Sequence, residues 1–135
     1  MNEPPSPQTS KDNNSYLIGR LKSFGYAFKG IWTLFSTQPN ARIHLLATVI
    51  IVGLGLALGL SPVEWCFIIG CIALVLMAEA VNTAIEFVVD LVSPEYHELA
   101  EKAKDVAAAA VLLSVICCGV IWGIIYLPKI WEQWL

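Results

Sequence analysis

VAAAAVLLSVICCGVIWGIIYLP, the stretch from Val106 to Pro128, runs for twenty-three residues without a charge. Crossing the hydrocarbon core of a bilayer takes about 20 mostly apolar residues, each adding about 1.5 Å to a helix. This stretch meets that length by itself. Working outward, Trp65 to Ala78 is also uncharged and reaches spanning length if its helix continues through Glu79 towards Val92. Ile43 to Leu60 is a third uncharged run, short but sufficient with Arg42 and His44 in the headgroups. The expected fold class is therefore an all-α membrane protein with three transmembrane helices, at about 43–60, 64–92 and 106–127.

Composition agrees. Of the 135 residues 57% are hydrophobic and 14% charged, against about a quarter charged in soluble domains. A chain this short and apolar forms one domain, too small to enclose a water-filled pathway, so self-association is expected. Cys66, Cys71, Cys117 and Cys118 all fall inside apolar runs. They match neither zinc-ligand spacing nor a secreted disulfide framework and read as small packing residues. No nucleic-acid partner is expected.

Residues 1–15 are polar, with three prolines, and read as a disordered tail without the apolar core of a signal peptide. The first span is then expected to serve as the insertion signal. From Tyr16 a helical period sets in, with Leu17, Leu21, Phe24, Phe28, Ile31, Trp32 and Phe35 on one stripe and Arg20, Lys22 and Lys29 between them. This reads as an amphipathic surface helix at 16–36, lying in the membrane interface. Gln38-Pro39-Asn40 breaks it, Ser61-Pro62 turns the chain between the first two spans, and Ser93-Pro94 ends the second. Gly55-x-x-x-Gly59 and Ala107 to Ala110 offer small residues for close helix approach.

Seven of the eight lysines and arginines then lie on one side, with Lys129 alone on the other. By the positive-inside rule the N-terminus and the 93–105 loop are cytoplasmic and the C-terminus is outside. Trp65, Trp131 and Trp134 fit an aromatic belt at the outer interface.

The second span carries the chemistry. Glu79, Asn82, Glu86 and Asp90 stand at i, i+3, i+7 and i+11, at about 0°, −60°, −20° and +20° around the helix, a single narrow stripe. It covers about 16 Å of axis, and Glu79 lies about 21 Å along the helix from Trp65, at the edge of the acyl region. A charged residue at mid-membrane costs at least about 2.5 kcal/mol, so ionisable groups there carry function by default. An acidic stripe reaching from lipid to water suits a reaction that joins a membrane-embedded group to a soluble one. Such acids bind magnesium together with phosphate oxygens, and Lys104-Asp105 returns to the same level with a cation for phosphate. Metal, cation and base are the parts of phosphoryl transfer. Neither a Gly-x-x-x-x-Gly-Lys-Ser/Thr loop nor a protein-kinase signature occurs.

Three motifs in this region resemble the bacterial diacylglycerol kinase and undecaprenol kinase family. They are Glu79-x-x-Asn82-Thr83-Ala84-Ile85-Glu86-x-x-Val89-Asp90, Pro94-Glu95-Tyr96-His97-Glu98-Leu99-Ala100 and Lys104-Asp105-Val106-Ala107-Ala108-x-Ala110-Val111. Gly25-Tyr26-Ala27-Phe28-Lys29-Gly30 and Asn40-Ala41-Arg42-Ile43-His44 match as well, so the resemblance covers about residues 17–128. It implies a homotrimer with active sites shared between subunits, set in the bacterial cytoplasmic (inner) membrane. It also implies transfer of the γ-phosphate of ATP, with Mg2+, to a membrane lipid alcohol. Glu79 is implied as general base on the lipid substrate and Glu86 as metal ligand and nucleotide contact, with Asn82 and Asp90 in support. Tyr26, Glu95, Tyr96, His97, Lys104 and Asp105 are implied nucleotide contacts. The family's second metal-binding glutamate falls at Gln38, whose oxygen is a ligand without charge, and an arginine usual near Gly19 is shifted to Arg20. Lys-Asp-Val-Ala-Ala leans towards the undecaprenol branch.

Two rival readings remain at this level. A cation-conducting transporter or channel subunit would use the acidic stripe but need neither Lys104-Asp105 nor the Glu-Tyr-His loop. A catalytically idle family member is favoured by Gln38 alone.

Overall fold

The computed structural model describes residues 9–134, with side chains from Ile18 to Gln133. Four α-helices follow one another, α1 Thr9–Thr37, α2 Pro39–Ala57, α3 Pro62–Val92 and α4 Glu98–Trp134, and the described residues contain no strand. Three of them, α2, α3 and α4, are long and apolar enough to cross a membrane. The chain is an all-α integral membrane protein.

Two bodies are distinguished, one ending at Thr37 and one beginning at Gln38. The first consists of α1, which starts at Thr9 rather than at Tyr16. The expected tail therefore lies outside the described residues only for 1–8. Leu21, Phe24, Phe28, Ile31 and Trp32 of α1 are all exposed.

The second body is built on α3, which packs along α4 and, over a shorter length, against α2. Gln38, extended at φ −102° and ψ 112°, separates α1 from α2, and Pro39 occupies the first turn of α2, where a missing N–H costs nothing. At the other end of α2, Gly59 adopts φ +63°, and Leu60 N–H reaches back to Gly55 O at 3.2 Å. This is a Schellman stop, whose left-handed residue glycine adopts without strain. Gly59 thus serves the turn, not close helix approach. Ser61 then opens α3 with a full capping box, Ser61 Oγ accepting from Glu64 N and the Glu64 carboxylate accepting from Ser61 N. Glu64 also pairs with Lys129 at 3.2 Å, tying the start of α3 to the end of α4.

Two clusters form the core: Leu60, Ile68 and Tyr126, and further along Cys71, Val75 and Cys118. Cys71 and Cys118 are packing residues as expected, but Cys66 and Cys117 are exposed, because i and i+5, or i and i−1, do not share a helix face. Tyr126 donates its hydroxyl to Ile51 O at 2.8 Å, linking α4 to α2. Gly55 lies beside this bond: a Cβ there would stand 2.9 Å from Leu60, 3.0 Å from Trp65 and 3.1 Å from Tyr126. Gly55→Val is expected to destabilise the bundle by about 1–3 kcal/mol through overpacking. Gly53→Val, with open space around it, is the control, and thermal unfolding in micelles measures both.

The third span exceeds its expected limits at both ends, starting at Glu98 and passing through Pro128 to Trp134. Large apolar side chains such as Ile69, Leu74, Leu113, Val120 and Ile124 stay exposed along α3 and α4, the outward surface a membrane helix presents to lipid.

Candidate active site

The polar stripe of α3 is graded in burial. Glu79 is 2% exposed, Asn82 is buried, Glu86 is half-buried and Asp90 is exposed. The helix period sets these four on one face, and the packing of α2 and α4 covers only the part deeper in the bundle. His44 of α2 and Glu86 both lie near enough to Glu79 to act on its carboxyl electrostatically.

Glu86 is the anchored member. Its Oε1 accepts an N–H from Asn82 Nδ2 at 3.1 Å, one helical turn away, and its Oε2 accepts one from Gln38 Nε2 at 3.3 Å. Gln38 therefore meets this site through its amide nitrogen, whereas a metal ligand would use the oxygen. The Oδ1 of Asn82 and the Oγ1 of Thr83 are buried with no hydrogen-bond partner, and such orphans cost about 1–3 kcal/mol each.

These residues fit magnesium in one specific way. Among the described residues, no three His, Cys, Asp or Glu side chains converge to hold an ion by themselves. Glu86 and the orphaned Asn82 oxygen beside it are hard oxygen donors. They suit an ion that completes its octahedron with phosphate and water, as magnesium does.

Beyond Asp90 the helix ends at Val92, and the loop to α4 closes a cleft of about 330 Å³. Asp90, Glu95, Tyr96, His97, Lys104 and Asp105 all line it, so six of the expected residues are brought together. Lys104 and Asp90 form an ion pair across it. The Tyr96 hydroxyl donates to Glu101 at 2.9 Å. His97 is the N-cap of α4: its carbonyl accepts from Ala100 N and Glu101 N, and its Nδ1 accepts from Leu99 N at 3.2 Å. Glu101 completes the lining. Carboxylates outnumber the single lysine, so a polyphosphate needs accompanying cations to settle here.

Tyr26 stands on α1, exposed, in the separate first body. Sequence reasoning passed over Thr83, although its i+4 spacing from Glu79 puts it on the same face. It placed His44, which lies inside a quoted motif, in the headgroups and not beside Glu79, and gave no role to Glu101, whose partner Tyr96 only the loop fold brings near.

In this all-α integral membrane protein, one helix long and apolar enough to span a membrane carries acids from the buried Glu79 to a charged cleft beyond its end. The chain belongs to the prokaryotic diacylglycerol kinase family, whose sequence model matches residues 25–126. It is 38% identical over 121 residues to an undecaprenol kinase of Bacillus subtilis, covering 90% of this chain and 98% of that protein. With a diacylglycerol kinase of Synechocystis it shares 41% identity over 111 residues, 82% of this chain and 63% of the relative. With the diacylglycerol kinase of Escherichia coli K12 it shares 33% over 105 residues, 78% and 86% of the two chains.

Proposed function

We propose that this chain transfers the γ-phosphate of ATP to the hydroxyl of a membrane lipid alcohol, with undecaprenol favoured over diacylglycerol. Membership of the family makes the chain a lipid kinase. The observation that carries the site reading is the burial gradient from Glu79, 2% exposed, to Asp90, which lines the charged cleft of about 330 Å³.

The lipid hydroxyl approaches Glu79 from the apolar side while ATP lies in the cleft against Lys104. Glu79 takes the hydroxyl proton as the lipid oxygen bonds to the γ-phosphorus. The bond from that phosphorus to the β,γ-bridging oxygen breaks, and ADP leaves. Glu86 and Asn82 would hold Mg2+, which offsets the charge of the phosphates when bound. Lys104 supplies the positive charge that the acidic cleft otherwise lacks, exchanging its Asp90 partner for phosphate oxygens. Cytoplasmic placement of the cleft follows from the seven-to-one bias in lysine and arginine. The interfacial position of α1, with Tyr26 upon it, and a trimer with shared sites belong to the same proposal.

The match to an undecaprenol kinase over 98% of its length supports the polyprenol. Vesicles holding equal fractions of undecaprenol and diacylglycerol, given labelled ATP and Mg2+, test the choice. Undecaprenyl phosphate is expected as the main labelled product, and a predominance of phosphatidic acid reverses it. Lys104→Met is expected to raise the KM for ATP by about tenfold or more, the loss of one charge-assisted phosphate contact. Initial rates at varied ATP check this, and the KM for lipid should stay unchanged.

A further inference from the structure

We infer that Gln38 is a positioning residue for Glu86, and that its neutral amide sets how tightly the site takes a divalent cation. The inference rests on the reading of Glu86 as the carboxylate that holds the ion.

Gln38 is the N-cap residue of α2, yet its side chain makes no capping hydrogen bond. It is directed to Glu86 instead, across 48 residues of sequence, at 3.3 Å. Asn82 occupies the other carboxylate oxygen at 3.1 Å. Each oxygen of Glu86 thus receives one N–H from a neutral amide, and the two amides come from different helices. Hydrogen bonds to an ionised acceptor are strong and directional, so the pair fixes the carboxylate plane. Neither amide alters its charge. A cation at position 38 would cancel the attraction for a metal ion. A second carboxylate at 3.3 Å would repel Glu86 until a proton or metal ion came between them. The amide does neither: it holds one full negative charge still, with the Asn82 oxygen left unpaired beside it.

Manganese binding to the purified full-length chain in micelles, without nucleotide or lipid, tests this by the electron paramagnetic resonance signal of free Mn2+. Gln38→Met keeps the length of the side chain and loses the donor. Its affinity is expected to fall by about tenfold, as for other groups that orient a metal ligand. Gln38→Glu adds a second hard anionic ligand, and affinity is expected to rise by about tenfold or more. Unchanged binding in either variant, or a shift of opposite sign, overturns the proposal.

A second measurement does not depend on how the variants at position 38 fold. The chain has three glutamines, Gln8, Gln38 and Gln133, and nitrogen-15 labelling resolves their side-chain amides by NMR. The Gln38 pair is expected to move in Glu86→Ala while the other two stay; a stationary Gln38 pair overturns the proposal. Neither experiment includes ATP or a lipid alcohol, so their failure is distinct from a failure of the kinase reading.

Discussion

Glu79→Gln is expected to abolish lipid phosphorylation while leaving the protein at least as stable as before. The variant keeps the shape of the side chain and removes its capacity to accept the hydroxyl proton. General-base catalysis contributes about 10²–10⁴ in rate, so kcat should fall by about 10³, with the KM for ATP little changed. Stability moves the other way. Glu79 is 2% exposed within a spanning helix, where ionised carboxylates are disfavoured and a neutral amide is not. A residue that strains the fold and is kept at the centre of the site exchanges stability for activity. Phosphotransfer rates and thermal unfolding of the same sample check both halves. Wild-type turnover in the variant refutes the role.

Glu86→Ala is expected to lower both activity and stability. Removing the carboxylate strands two donors, Gln38 Nε2 and Asn82 Nδ2, that now share it. An unpaired buried donor costs about 1–3 kcal/mol, less where water can enter, as it can beside half-buried Glu86. Unfolding should therefore occur several degrees lower. Activity should drop by about 10² or more, since the only carboxylate of the proposed ion site is gone. Glu86→Gln keeps one oxygen for the amides and should fall between. The opposite stability effects of two glutamates on one stripe separate a residue held for chemistry from one that also ties helices together.

The spans were legible because the bilayer imposes a length, and three uncharged runs supply it. The stripe was legible because helical periodicity converts spacing into a shared face, and α3 bears this out in the grading from Glu79 to Asp90. Other features depend on packing that no local pattern encodes. The contact of Gln38 with Glu86 requires the start of α2 to sit beside the C-terminal half of α3, a matter of how the helices lie together. Thr9 to Ser15 are helical without an apolar period to announce it. Pro128 lies just past the expected span yet stands inside α4, where membrane helices accommodate proline through neighbouring side chains and local adjustment. His97 entered as a nucleotide contact through resemblance; the fold adds a capping role that its position before Glu98 explains. Gly59, read as a packing residue from its spacing to Gly55, serves instead to end α2.

In the proposed reaction the buried Glu79 and the charged cleft act together across the lipid–water border. Reconstituting the purified chain in vesicles with undecaprenol, adding ATP labelled at the γ-phosphate together with magnesium, and extracting with organic solvent measures that directly. Label should enter the lipid phase in step with the ADP released. Label that stays in water while ATP is consumed, or cation flux through the vesicles without ATP and without labelled lipid, would contradict it.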